Sequence, residues 1–589
     1  MTRRRALSIA IVVATASAAR NTLAQNDPDT VTPIKHVIVL IGENRTFDHV
    51  FGTFQPGKGR TIANLSSRGI MTADGRPGPN FSAGVQWDAA GSAAYSIHPS
   101  RTAPYSQLPA LNVASTPARA PFTTAAAARA VEPGLPDESY DLLTVGGSGL
   151  PNGLQVDPRF PPLANGPFDL LGYLSKSDYT ASPVHRFYQM WQQIDCDASG
   201  CRNDLFAWVE QTAGDGEGAQ SMGVYTSRGG LSPFFDLLAR NYAMSDNFHQ
   251  AILGGSNANH LALAYGRPLF FENSDGTPGT PPSRFVANPN PRSGTANGYI
   301  NDSVYTNCGD MAQPGVAPIR QYLESLPNRP FHGCYPGEYY LLNNFSPPFF
   351  GNGARAAIGS DISRIPPSTQ PHIGLLLNKH SVSWKYYGAG WAGGSEDSRL
   401  FCDICNPFLY STQTMTSSTE RAAHLKDLTE LYADIQAGTL PGVSFVKPSG
   451  FVDGHPTQSR WDLYEEFTRK IIQMVWANPD VWANTAVIVT VDEGGGYWDS
   501  GYIQPLDFFG DGPRIPFIVV SKASQNVGIV HTYYDHVSID KFIERNWKLG
   551  ETISPRTRDN LPNPIGNPAN PYVPMNGPAI GDLFEMFGR

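Results

Sequence analysis

Cysteine is scarce in this chain, charge is sparse, and no long apolar run follows the N-terminus. Only 6 of the 589 residues are Cys, and 16% are Asp, Glu, Lys or Arg. Asp and Glu outnumber Lys and Arg, 52 to 43, for a net charge of −9. Such a balance carries no basic footprint and excludes nucleic acid as the expected partner. After the N-terminal segment, no apolar stretch reaches the roughly 18 residues a membrane span requires. There is no internal repeat, which sets solenoids and propellers aside.

Hydrophobic residues make up 41%, enough for a large core. The length fits one large α/β domain with insertions or two to three smaller domains. The 58 Gly, 50 Pro, 25 Tyr and 30 Phe suggest long loops pinned by aromatic side chains. Residues 72–136 and 266–368 have that character and no sustained periodicity.

Arg3-Arg4-Arg5 precede an apolar stretch from Ala6 to Ala19, and Thr22-Leu23-Ala24 offers a cleavage site before Gln25. Residues 1–24 therefore read as an export signal, either twin-arginine or Sec with a basic start. Residues 25–589 read as a single domain, expected in the periplasm or outside the cell. In an oxidising compartment the spacings Cys196/Cys201, Cys308/Cys334 and Cys402/Cys405 favour three local disulfides over a zinc site.

Buried-strand patterns occur at residues 34–41, 443–446, 486–491 and 515–520. Helical patterns occur at 420–436 and 460–476, and another starts near Ser538. Their alternation predicts an α/β fold with a largely parallel central sheet flanked by helices. Two strands end in acids: Ile41 runs into Gly42-Glu43-Asn44, and Val491 into Asp492-Glu493 before three glycines. Each is a charged turn or part of a site, since open α/β sheets place ligands at the carboxyl ends of strands. Together they form an all-oxygen set suited to Mg²⁺, Ca²⁺ or Mn²⁺. Gly254-Gly255-Ser256-Asn257-Ala258-Asn259 opens an apolar helical segment. Its hydroxyl is either a cap or a group placed where helix N-termini hold anions.

The strings Glu43-Asn44-Arg45-Thr46-Phe47-Asp48-His49, Gly254-Gly255-Ser256-Asn257-Ala258-Asn259, Asp453-Gly454-His455-Pro456, Asp492-Glu493-Gly494-Gly495 and Tyr534-Asp535-His536-Val537-Ser538 resemble the bacterial phosphoesterase family. That family joins secreted phospholipases C with acid phosphatases on an alkaline-phosphatase-like α/β fold. The resemblance runs from residue 34 to about 548 and implies one divalent metal ion on Glu43, Asn44, Asp492 and Glu493. It further implies Ser256 as nucleophile, Asn259 on the phosphate, His455 on the phosphate or the leaving oxygen, and His185 as a second phosphate ligand.

Departures are also legible. Many members continue Gly-Gly-x-x-Asp-His-Val, whereas here Asp499 precedes Ser500. A His-His-Gln-Pro-Phe stretch of the acid phosphatases corresponds to Ile404-Cys405-Asn406-Pro407-Phe408, so two phosphate-contacting histidines are absent or supplied by His380 or His536. The long C-terminal extension of haemolytic phospholipases is not matched.

The expected function is a secreted, metal-dependent phosphoric-ester hydrolase, phospholipase C-like or acid phosphatase-like. Its substrate is a small phosphate ester or a phospholipid, the latter entailing transient contact with a membrane surface. The alternative is a secreted binding protein that keeps the fold without catalysis. A sulfatase is disfavoured because the segment after Ser256 lacks the Arg of that signature.

Overall fold

The computed structural model describes residues 27–110, 120–145, 159–175, 177–213, 218–227, 232–291, 303–328, 330–357 and 363–588. The expected export signal lies outside them. Eight strands form the central sheet. In chain order they are β1 (His36–Gly42), β2 (Ala243–Ser245), β3 (Trp384–Gly388), β4 (Leu425–Asp427), β5 (Val443–Lys447), β6 (Thr485–Val491), β7 (Phe517–Val520) and β8 (Gly528–Val530).

Across the sheet the order is β4-β3-β5-β1-β6-β7-β2-β8. Pairing is parallel except where β7 lies antiparallel to both β6 and β2. The sheet is thus largely parallel, as the alternating pattern predicts. Every residue of β1 is buried, between parallel partners β5 and β6. A strand covered on both faces needs apolar side chains throughout, which is why its sequence does not alternate.

Four helices bear on the site: α1 (Phe47–Phe51), α2 (Ser256–Tyr265), α3 (Trp461–Ala477) and α4 (Val537–Asn546). The hydroxyl of Tyr464 on α3 lies 3.0 and 2.7 Å from the carbonyl oxygens of Leu40 and Thr490, anchoring that helix to the ends of β1 and β6. The helix expected over 420–436 is broken. Ser418–His424 and Leu428–Ala437 are helical, and β4 separates them as the sheet's edge strand. Leu425, Lys426 and Asp427 gain backbone partners on β3. Asp427 also caps the second helix by accepting from Thr429 N–H.

The described parts of the loop-rich stretches carry small elements of their own. The first holds a hairpin of Trp87–Ala89 with Arg101–Pro104, and the second pairs Ser303–Thr306 with Tyr340–Asn343. Three local disulfides form, Cys196–Cys201, Cys308–Cys334 and Cys402–Cys405. Among the described residues, no helix is long and apolar enough to cross a membrane.

Beneath the sheet's carboxyl edge, Arg514 is buried between Asp48 (3.1 Å) and Asp499 (2.8 Å). Asp499, where the sequence departs from the family pattern, is therefore a structural partner of the first motif. Away from this edge, fully buried His372 packs among Tyr265, Trp384 and Phe408. Burial, helped by nearby His424, pushes its pKa down to about 3. The unfolded chain therefore takes up a proton near pH 6.5 that the folded chain refuses, so stability is lost as pH falls below 6.5. Relative to His372→Gln, the wild type should lose about 1.4 kcal/mol per pH unit below 6.5. Urea unfolding of both proteins at pH 7, 6 and 5 reads that difference in slope.

Candidate active site

Gly42 stands opposite Val491 in the parallel register of β1 and β6. The next residues of each strand, Glu43-Asn44 and Asp492-Glu493, consequently emerge side by side. Backbone bonds carry the pairing past the strand ends. Asp492 N–H donates to the Gly42 carbonyl at 3.1 Å, and Arg45 N–H to the Glu493 carbonyl at 2.9 Å. Asn44 N–H donates to Asp492 Oδ1 at 3.1 Å.

Two backbone constraints fix this corner. Asn44 adopts φ +54°, the left-handed region that Asn tolerates better than most residues. At Gly42 a Cβ would fall 2.7 Å from the Tyr464 ring and 2.9 Å from the Asp453 carbonyl, so only glycine fits.

Ser256 is the first residue of α2, preceded by Gly255 as N-cap. A Cβ on Gly255 would lie 2.7 Å from Asn344 Oδ1, which instead accepts Asn257 N–H at 3.0 Å. This close packing aims Ser256 at the strand ends. Its Oγ lies 3.2 Å from both Glu43 Oε2 and Glu493 Oε1. Asn259 faces the other way. Its Nδ2 donates to the carbonyls of Ile252 and Gly254 (both 3.1 Å), and its Oδ1 accepts Ile252 N–H at 2.9 Å. Asn259 thus shapes the turn before α2, and its amide is spent there rather than on a phosphate.

The electrostatics of the cluster are unbalanced. Glu43, Asp492 and Glu493 are all buried, with Lys447 as the neighbouring ammonium. Lys447, the last residue of β5, lies 3.0 Å from Glu43 and 2.8 Å from Asp453. Burial would raise the pKa of Glu43, but the Lys447 charge and His260 hold it well below the usual range. Asp492 is driven the other way, well above that range, by burial and by the carboxylates of Glu43 and Glu493.

Asn44 Oδ1, Asp492 Oδ2 and His260 Nε2 are buried without a hydrogen-bond partner. Crowded carboxylates and orphaned lone pairs fit a divalent cation, and Glu43, Asn44, Asp492 and Glu493 supply hard oxygen donors.

The histidines divide sharply. His455 Nε2 lies 3.3 Å from Asn44 Nδ2 at the edge of the cluster. His185 Nε2 stands 3.6 Å from Glu493 Oε1, and its Nδ1 lies 2.6 Å from the Pro183 carbonyl. Burial and the charge of Arg186 push the His185 pKa down to about 3, leaving a neutral ring.

The other expected histidines are elsewhere. His536 is buried, its Nε2 3.0 Å from the Val491 carbonyl and its Nδ1 accepting Ala251 N–H at 3.2 Å. With both ring nitrogens occupied, it braces β6 against the turn before α2. His380 pairs with Glu551 at 2.7 Å, remote from the cluster.

His260 and Lys447 escaped the sequence reading. His260 follows Ser256 by four residues and so shares its face of α2, a spacing that marks it in retrospect. Its Nε2 is 3.9 Å from Glu43 and 4.0 Å from Asp492. Lys447 follows the apolar β5 and has no motif of its own. At the position of the missing histidine pair, Cys405 brings its Sγ within 3.3 Å of Glu43 Oε1.

The cluster opens into a cleft of about 590 Å³. Glu43, His185, Ser256 and His455 line its floor, Phe349 and Phe401 its wall, and exposed Phe350 its mouth.

The family model described as Phosphoesterase family matches residues 34–112 and 151–550. The chain belongs to the Phosphoesterase family. Every residue of the cluster falls within the matched segments of that family.

Relatives include the non-hemolytic phospholipase C of Burkholderia pseudomallei, 25% identical over 36% of this chain and 36% of that protein. The hemolytic phospholipase C of Pseudomonas aeruginosa is 28% identical over 38% of this chain and 37% of its own length. Phospholipase C B of Mycobacterium tuberculosis is 24% identical over 36% and 45%, respectively. The chain thus spans between about a third and just under half of the length of these relatives. Among solved structures, lipoteichoic acid synthase LtaP of Listeria monocytogenes matches 54% of this chain and 65% of its own, at 10% identity and a TM-score of only 0.25.

A divalent cation should raise the melting temperature of the wild type, and chelation should lower it. Binding at a hundredfold excess over Kd corresponds to about 2.7 kcal/mol. Asp492→Asn should lose most of that response while its cation-free form melts no lower than the wild type, because a carboxylate repulsion is removed. An undiminished cation response in Asp492→Asn would place the cation elsewhere.

Proposed function

We propose that the chain is a metal-dependent phosphoric-ester hydrolase with Ser256 as nucleophile, acting after export on a small phosphate ester or phospholipid. The observation that carries this reading is the placement of Ser256 Oγ. It sits at the N-terminus of a ten-residue helix, on the floor of a cleft, between carboxylates from two strand ends.

Either carboxylate oxygen at 3.2 Å can take the single hydroxyl proton as Oγ attacks phosphorus in line. The positive end of the α2 dipole faces the phosphoryl oxygens as their charge develops. The bond from phosphorus to the leaving oxygen breaks, and His455 at the cluster's edge supplies the proton that the departing alcohol needs. Water then attacks the phosphoserine from the side the alcohol vacated and gives its proton to His455, while Ser256 leaves phosphorus and takes back its proton from the carboxylate. A divalent cation on Glu43, Asn44, Asp492 and Glu493 supplies Lewis-acid polarisation and charge neutralisation when bound. His185 is proposed as a neutral donor-acceptor beside the phosphate.

We favour an ester with an organic group on each side over a bare phosphomonoester. Exposed Phe350 at the mouth, backed by buried Phe349 and Phe401, supports this reading, in a cleft that Arg364 and Arg399 also line. Intact Ser256 and its paired carboxylates argue against a protein that only binds.

Ser256→Ala should lower kcat by more than about a thousandfold while leaving the melting temperature unchanged. Retained turnover would overturn the nucleophile assignment. Parallel assays on p-nitrophenyl phosphate and p-nitrophenylphosphorylcholine should show higher kcat/KM for the diester, and the reverse order would favour the acid phosphatase type.

A further inference from the structure

We propose that the Cys402–Cys405 disulfide masks a second, softer metal site, formed by Cys405, His260 and Glu43 and opened by reduction. The two cysteines close a three-residue step on the cleft wall. Cys402 is partly exposed, while Cys405 is buried. The loop between them is clamped to the nucleophile helix, because Asn257 Nδ2 donates to the Ile404 carbonyl at 2.7 Å. Tyr386 Oη donates to the Cys405 carbonyl at 3.1 Å. Release of the S–S bond therefore leaves Cys405 held where it is.

One donor atom each of Glu43, His260 and Cys405 lies within 4.8 Å of the others, and all three residues are buried. Cys405 Sγ is 3.3 Å from Glu43 Oε1, and His260 Nε2 is 3.9 Å from the same oxygen. Donors sharing one tetrahedral zinc are about 3.3–3.6 Å apart, so the three side chains must draw together and the Lys447 ammonium, 3.0 Å from the same Oε1, must yield that oxygen to the metal. His260 Nε2 is buried, has no hydrogen-bond partner and is turned toward this space.

In the disulfide Cys405 has no thiolate to offer. Only the oxygen ligands then act, and they favour hard cations. Reduction adds thiolate and imidazole, the ligands that zinc and cadmium prefer.

The reaction is a thiol–disulfide exchange with a dithiol reductant. A reductant thiolate attacks Cys402 Sγ, on the partly exposed residue of the pair, and Cys405 departs as the thiolate. The reductant's second thiolate then displaces Cys402 and closes its own disulfide. The protein gains two electrons, the dithiol loses two, and the dithiol's two protons pass to the cysteines. The proton on Cys405 is released when metal binds. Because Glu43 belongs to both donor sets, a soft cation captured here displaces it from the oxygen site. The metal-binding step stands on geometry alone; its effect on turnover rests on the hydrolase reading.

Cadmium alone is the probe, since thiolate ligation produces an ultraviolet sulfur-to-metal charge-transfer band. Purified chain reduced with a phosphine and desalted without air should bind cadmium with that band, and unreduced chain should not. Cys402→Ser, which leaves Cys405 free without touching the other disulfides, should bind cadmium with no reductant. Within that background His260→Ala should weaken binding at least tenfold. Three results would overturn the proposal: no band in Cys402→Ser while its melting curve stays cooperative, a band of undiminished size in reduced Cys402→Ser/Cys405→Ser, whose remaining thiols come from the other two disulfides, or unchanged affinity in the His260→Ala background. Hydrolase assays run alongside should show loss of turnover with cadmium only after reduction. Cadmium binding with turnover unchanged keeps the site and overturns the displacement of Glu43, whereas absence of turnover under every condition counts against the hydrolase reading alone.

Discussion

Parallel pairing of β1 with β6 is the constraint on which the site depends. Backbone hydrogen bonds lock Gly42 beside Val491, and the acids that follow have no choice but to meet. Three carboxylates in a buried corner repel one another and resist ionisation together. The sheet enforces what the side chains alone would avoid. Lys447 offsets part of that cost from β5, but it is shared with Asp453. The residual excess of negative charge suits the corner to a cation.

Around that corner, buried arginines hold the loops. Arg45 donates to the Gly454 carbonyl at 2.8 Å and so fixes the loop that carries His455. Arg514 ties Asp48 of the first motif to Asp499 after the second. Arg558 gathers Asp507, Asp511 and Asp535, next to His536. These networks are costly to desolvate and costly to break, which makes them effective at holding one arrangement. They also divide the first motif by role. Glu43 and Asn44 present donors, whereas Arg45, Asp48 and His49 spend theirs on backbone and buried partners.

The histidines follow the same division. His455 and His185 keep ring nitrogens facing the cleft floor, and His260 turns toward the carboxylates from α2. His536 works as a brace. What separates them is how many ring nitrogens the backbone claims, a quantity that depends on neighbours far along the chain.

The sequence by itself determined four of the eight sheet strands, the order of the motifs and the strand-end acids. Unbroken β-branched runs favour buried strands, and acids at their exits stand out against such a background. The three short-range disulfides were legible for a similar reason, since their partners are near in sequence. The local pattern could not report that the helical run over 420–436 is cut by an edge strand, because the pairing with β3 competes there with helix propensity. Nor could it separate Asn259 and His536, whose polar atoms are consumed by backbone groups, from His455, whose ring faces the site. Lys447, His260 and the Cys402–Cys405 disulfide became parts of the site only through the tertiary structure. Each lies close to Glu43 because separate segments converge on one sheet edge, and convergence of that kind leaves no periodicity to read.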